Sequence, residues 1–82
     1  MSTFDLKLPE LGNDAGEEAT VSFWYFEPGE DVPEGEDIVE MVTDKATFNV
    51  PCPVAGTLVE VLAEDGAKVK VGDTMAVLET GD

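Results

Sequence analysis

The chain has 82 residues, four of them basic and nineteen acidic, with a formal net charge of −15 and no histidine. A chain this short makes one small domain with a modest core. Nucleic acid and anionic membrane surfaces need clustered cations and are excluded as partners, whereas a basic protein surface is complementary.

The hydrophobic residues, 43% of the chain, fall in alternating runs, so folding is expected to prevail over the disorder that such charge favours. Phe4, Leu6 and Leu8 alternate with Asp5 and Lys7, which predicts a half-buried strand ending at Pro9. Residues 10–18 read as a polar loop. Residues 19–26 are rich in β-branched and aromatic side chains and predict a strand. Pro28-Gly29 turns the chain, Val32-Pro33 starts a short extended piece, and Gly35 turns it again. Residues 38–42 predict a strand, Asp44-Lys45 a turn, and residues 47–50 the return strand. No apolar stripe of period 3.6 persists, so no helix is expected.

The second half repeats the first. Residues 19–41 lie over residues 56–78 at an offset of 37 (29 to 66), with Gly29 over Gly66, Val32 over Val69, Gly35 over Gly72 and Met41 over Leu78. Upstream, Leu8-Pro9 matches Val50-Pro51 at an offset of 42 (8 to 50), which implies five additional residues in the first-half loop. Two copies are too few for a solenoid. The prediction is an all-β flattened barrel or sandwich of two four-stranded antiparallel sheets, related by a pseudo-twofold axis. The chain is read as one domain, 1–82, with halves at about 3–43 and 46–80 joined by a hairpin at 43–46.

The repeat also predicts orientation. Glu60 and Glu64 mark the solvent side, so Val59, Val61 and Ala63 are expected inward, and by the same offset Ser22, Trp24 and Phe26. Phe23 and Tyr25 then face outward as an apolar patch, a candidate partner-contact surface.

Cys52 is the single cysteine, so no internal disulfide is possible, and without histidine a Cys/His zinc site is excluded. It reads as a small, semi-buried apolar residue. The acids of residues 27–37 lack calcium-loop spacing, so no metal site is expected. No nucleophile–base pair can be named, so no catalytic residue is expected either. No signal-peptide pattern opens the chain and no stretch has transmembrane length, which makes a cytoplasmic location the expectation, with the mitochondrial matrix left open.

Lys45 is a scarce cation at the junction of the two copies, where the residues of a turn are exposed and can enter another protein's active site. Around it, Val39-Glu40-Met41-Val42-Thr43-Asp44-Lys45-Ala46 resembles the modification hairpin of the lipoyl domain family, and Val50-Pro51-Cys52-Pro53-Val54-Ala55-Gly56 resembles the bend that follows it. The resemblance covers almost the whole chain. It implies a barrel-sandwich hybrid fold and lipoate attached covalently to Lys45, with Asp44 and Ala46 as flanking recognition residues. It implies a swinging arm within a 2-oxo acid dehydrogenase complex. The implied partners are a lipoate ligase or lipoyl transferase, a thiamin-dependent 2-oxo acid dehydrogenase, an acyltransferase core and dihydrolipoamide dehydrogenase, with the domain itself monomeric. In the implied fold the 10–18 loop lies near the hairpin, so Glu10, Asp14, Glu17 and Glu18 are candidate recognition residues for the dehydrogenase. Two other readings remain beside this one. A biotin carrier domain typically flanks its lysine with methionines, where this chain has Asp44 and Ala46. An acidic, non-catalytic interaction module is the other.

Overall fold

In the computed structural model, which describes residues 2–9 and 18–81, the chain is built from strands: β1 (Ser2–Lys7), β2 (Glu18–Trp24), β3 (Asp31–Val32), β4 (Asp37–Val42), β5 (Thr47–Pro51), β6 (Gly56–Val61), β7 (Lys68–Lys70) and β8 (Thr74–Thr80). No described residue is helical. One four-stranded sheet has the order β1-β8-β6-β3 and the other β5-β4-β2-β7. All pairings are antiparallel. Replacing each strand of the first sheet by its counterpart four elements away reproduces the second sheet. The internal repeat of the sequence is therefore a twofold relation between the sheets.

The correspondence extends to single residues. β2 bulges against β4 between Val21 and Phe23, and β6 bulges against β8 between Leu58 and Glu60. Those positions are 37 apart. Gly29, Gly35, Gly66 and Gly72 all have positive φ, of 97°, 86°, 88° and 92°. This region costs glycine nothing and strains other residues, which is why the turns kept glycine in both copies. The Gly29 amide donates to the Leu58 carbonyl, and its twin Gly66 donates to Val21.

Alternation then sorts the side chains. In the β2–β4–β5 ladder, Val21, Met41 and Val50 point inward and are buried, while Thr20, Phe23, Glu40, Val42 and Asn49 face out. Leu6, Leu58, Met75 and Leu78 close the core from the other sheet. The indole Nε1–H of Trp24 donates to the Ala63 carbonyl at 2.8 Å, a bond that ties one copy to the other.

Several expectations need correction. Val59 was expected inward and is 48% exposed. It lies in the β6 bulge, where the extra residue breaks alternation. Leu58 takes the buried place, while Val61 is half-buried and Ala63 is buried as expected. Ser22, in the twin bulge, is half-buried, as are Trp24 and Phe26. The second strand runs over Glu18–Trp24 rather than 19–26, so Glu18 is a strand residue and not part of a loop. Cys52 is fully buried rather than semi-buried, with its thiol 3.0 Å from the Val54 carbonyl.

The upstream offset also shifts. Leu8 exchanges backbone bonds with Gly72 and Asp73, and Cys52 makes the same pair of bonds with Gly35 and Glu36. Leu8 is thus the twin of Cys52, an offset of 44 (8 to 52) rather than 42, and Pro9 is the twin of Pro53. The first copy holds seven residues more than the second, not five.

Candidate functional site

Strands β4 and β5 pair from Asp37↔Pro51 to Val42↔Thr47, and the four residues Thr43 to Ala46 connect them. The Thr43 amide donates to the Ala46 carbonyl at 2.8 Å and closes the connection. The Thr43 hydroxyl organises the rest. Its Oγ1 accepts from the Lys45 amide at 3.3 Å and the Ala46 amide at 3.1 Å, and it donates to the Ala46 carbonyl at 3.1 Å. One donation and two acceptances use the full capacity of a hydroxyl. Such local side-chain bonds replace the backbone turn that a glycine-free connection would otherwise lack.

The outcome is a narrow tip on which Asp44, Lys45 and Ala46 are all exposed. Lys7, Lys68 and Lys70 emerge from strands β1 and β7, so Lys45 is the lysine that stands in a turn. Among the described residues, nothing hydrogen-bonds to its Nζ. A covalently carried group fits this position: Lys45 is exposed on a hydrogen-bonded connection and, among the described residues, its amine has no hydrogen bond to give up.

Thr43 was not singled out in the sequence. The available signal was a threonine two residues before the lysine in a short connection, a position where a hydroxyl can cap following amides.

Below the tip, the outward face of the β5-β4-β2-β7 sheet carries Phe23 and Tyr25, 39% and 43% exposed, as expected. Their rings meet edge to face, with centroids 4.8 Å apart at 68°. The Tyr25 hydroxyl lies 2.8 Å from Asn49 Oδ1, and Asn49 Nδ2 donates to Asp37 Oδ2 at 3.2 Å. Glu18 lies on the same face opposite Lys70. The recognition candidates Glu10, Asp14 and Glu17 lie outside the described residues. Among the described residues no cluster of His, Cys, Asp or Glu is arranged to hold a metal ion.

A family model described as "Biotin-requiring enzyme", for biotinyl- and lipoyl-attachment domains, matches residues 5–78. The solution structure of the lipoyl domain of the 2-oxoglutarate dehydrogenase complex from Azotobacter vinelandii is 31% identical, with 95% of this chain and 98% of that one covered and a TM-score of 0.74. The chain belongs to the biotinyl- and lipoyl-attachment family and, within it, to the lipoyl domains, whose members carry lipoate covalently on a lysine.

Among curated proteins, the dihydrolipoyllysine-residue succinyltransferase component of the 2-oxoglutarate dehydrogenase complex from Bartonella vinsonii subsp. berkhoffii is 42% identical over 96% of this chain. The chain spans about a fifth of that relative's length, 19%. A single-chain, multi-domain long-chain acyl-CoA carboxylase superimposes with a TM-score of 0.80 at 24% identity over 98% of this chain and 7% of its own, a likeness of fold alone.

Proposed function

We propose that this chain is the carrier domain of a 2-oxo acid dehydrogenase complex, and that Lys45 bears its lipoyl group. The observation that carries the proposal is the hydroxyl-braced tip, which presents the Lys45 amine clear of the barrel. Asp44 and Ala46 flank it as residues the modifying enzyme reads.

In attachment, the Lys45 amine attacks as the free base on the carbonyl of an activated lipoyl donor. The new C–N bond forms as the donor's leaving group departs with its bonding electrons, and the amine proton passes to solvent. The cation becomes a neutral amide. When bound, lipoate supplies a dithiolane that takes up an acyl group together with two reducing equivalents.

The chain's own part is mechanical and electrostatic. The paired strands hold the tip at a fixed place, and tethering turns encounters with successive active sites into local events at high effective concentration. The acidic surface draws in partners with basic faces. Those partners are a lipoate ligase or lipoyl transferase, the thiamin-dependent dehydrogenase, the acyltransferase core and dihydrolipoamide dehydrogenase. The flanking Asp44 and Ala46, where a biotin carrier typically has methionines, favour lipoate over biotin.

The test is reductive acylation. The lipoylated chain should accept an acyl group from a thiamin-dependent 2-oxo acid dehydrogenase given its 2-oxo acid, and a Lys45→Arg chain should not. Equal acylation of the arginine variant would contradict the proposal.

A further inference from the structure

We propose that the Phe23–Tyr25 face is the docking surface for the enzyme that attaches the lipoyl group, a partner that meets it with arginine or lysine beside apolar side chains. The inference rests on the reading of Lys45 as the lipoyl lysine.

The Phe23–Tyr25 face is continuous with the tip. Val42, at the root of the tip, faces the same side of the sheet as Thr20, its partner across the ladder. Glu40 follows two residues down β4, about 7 Å at the usual rise, and there Phe23 and Asn49 flank it on either side. Tyr25 comes next and leans back to Asn49. The surface thus runs unbroken from the base of the tip.

The face is also preorganised. The ring pair is locked edge to face, and the tyrosine hydroxyl is anchored through Asn49 to Asp37. Little side-chain freedom remains to be lost when a partner covers it. Rigid exposed aromatics of this kind are the usual anchors of protein contacts.

Charge then defines the partner. Glu40 and Asp37 lie beside the rings, within a chain of net charge −15. A guanidinium over the rings gains from their π-faces and from these carboxylates together.

Reach selects the attaching enzyme rather than the dehydrogenase. An unmodified lysine has only its four-carbon stem, so an enzyme that takes Nζ into its active site must press against the tip and its root. A dehydrogenase meets the far end of the longer lipoyl-lysyl arm, so the surface it reads need not lie at the root of the tip.

The repeat provides an internal control. Phe23 has Glu60 as its twin on the other sheet, and the exposed apolar residues there, Val59 and Leu62, are aliphatic and away from the tip. A Phe23→Thr/Tyr25→Thr chain and a Val59→Thr/Leu62→Thr chain therefore make matched comparisons, each checked for an unaltered fold by thermal melting.

With purified lipoate ligase, free lipoate and ATP, the aromatic double variant should show a KM for the chain raised about tenfold, with kcat within about twofold. The aliphatic variant should match wild type, and the wild-type KM should rise with salt. Chains lipoylated by prolonged incubation should all be reductively acylated alike. Equal ligase KM for the two double variants would overturn the proposal, as would a defect confined to reductive acylation. Failure of the wild-type chain to take lipoate on Lys45 would instead remove the reading beneath it.

Discussion

Thr43→Val is the sharpest probe of how the tip is held. The substitution keeps the β-branch and the shape but removes a hydroxyl engaged in three hydrogen bonds. The tip is open to water, so the freed amides and carbonyl are rehydrated, and each bond is worth only the low end of the usual net value, about 0.5 kcal/mol. The loss totals about 1–1.5 kcal/mol, a five- to tenfold fall in the ratio of closed to open tip. Connections of this kind lie at the low-stability end of a fold, so the closed fraction drops appreciably and the apparent affinity of any enzyme needing the closed form drops with it. The ligase KM for the chain should rise about three- to fivefold with kcat little changed. The Thr43-amide bond to Ala46 survives, so Tm should fall by no more than about 4–8 °C. Thr43→Ser should restore the wild-type KM. An unchanged kcat/KM in the valine variant, or an equal defect in the serine variant, would refute a hydroxyl-braced tip.

Three further outcomes test the packing that positions the site. A Cβ on Gly56 would lie 2.6 Å from the Glu79 carbonyl oxygen, a backbone atom that cannot swing away, so Gly56→Ala should cost about 1–3 kcal/mol by denaturant titration, and an unchanged midpoint would count against this close approach. Trp24→Phe removes the Nε1 bond to Ala63 and some ring volume between the copies, with an expected loss of about 2 kcal/mol; a loss under about 0.5 kcal/mol would show that the bond contributes little. Val59→Thr, in the exposed bulge, should stay within about 0.5 kcal/mol of wild type, whereas a markedly larger cost would restore the inward orientation that the structure rejects.

Much of the architecture was legible because the chain says it twice. The offset of 37 located the glycine turns, the facing strands and the junction at Lys45, and the glycines confirm it with positive φ in each pair. Strand alternation was legible wherever strands are regular, as at Val21, Met41 and Val50. It failed at Val59 because that residue lies within the bulge itself, where Val59 and Glu60 are both exposed and alternation lapses, and no residue type marks that bulge in the sequence. The upstream register failed for a different reason. Matching Leu8-Pro9 to Val50-Pro51 satisfied residue type, whereas the backbone bonds of Leu8 to Gly72 and Asp73 make it the equivalent of Cys52, bonded to Gly35 and Glu36, and a buried leucine and a buried cysteine share a role without sharing an appearance. At the site, sequence pointed to the exposed lysine but not to the threonine that braces it, because a local hydroxyl bond depends on the conformation of the turn.

The proposed carrier role requires lipoate on Lys45. After incubation with lipoate ligase and lipoate, proteolysis and peptide mass spectrometry of this chain should place the mass of one lipoyl group on Lys45 and leave Lys7, Lys68 and Lys70 bare. Lipoate on any of those three strand lysines, or a chain that takes biotin on Lys45 in its place, would contradict it.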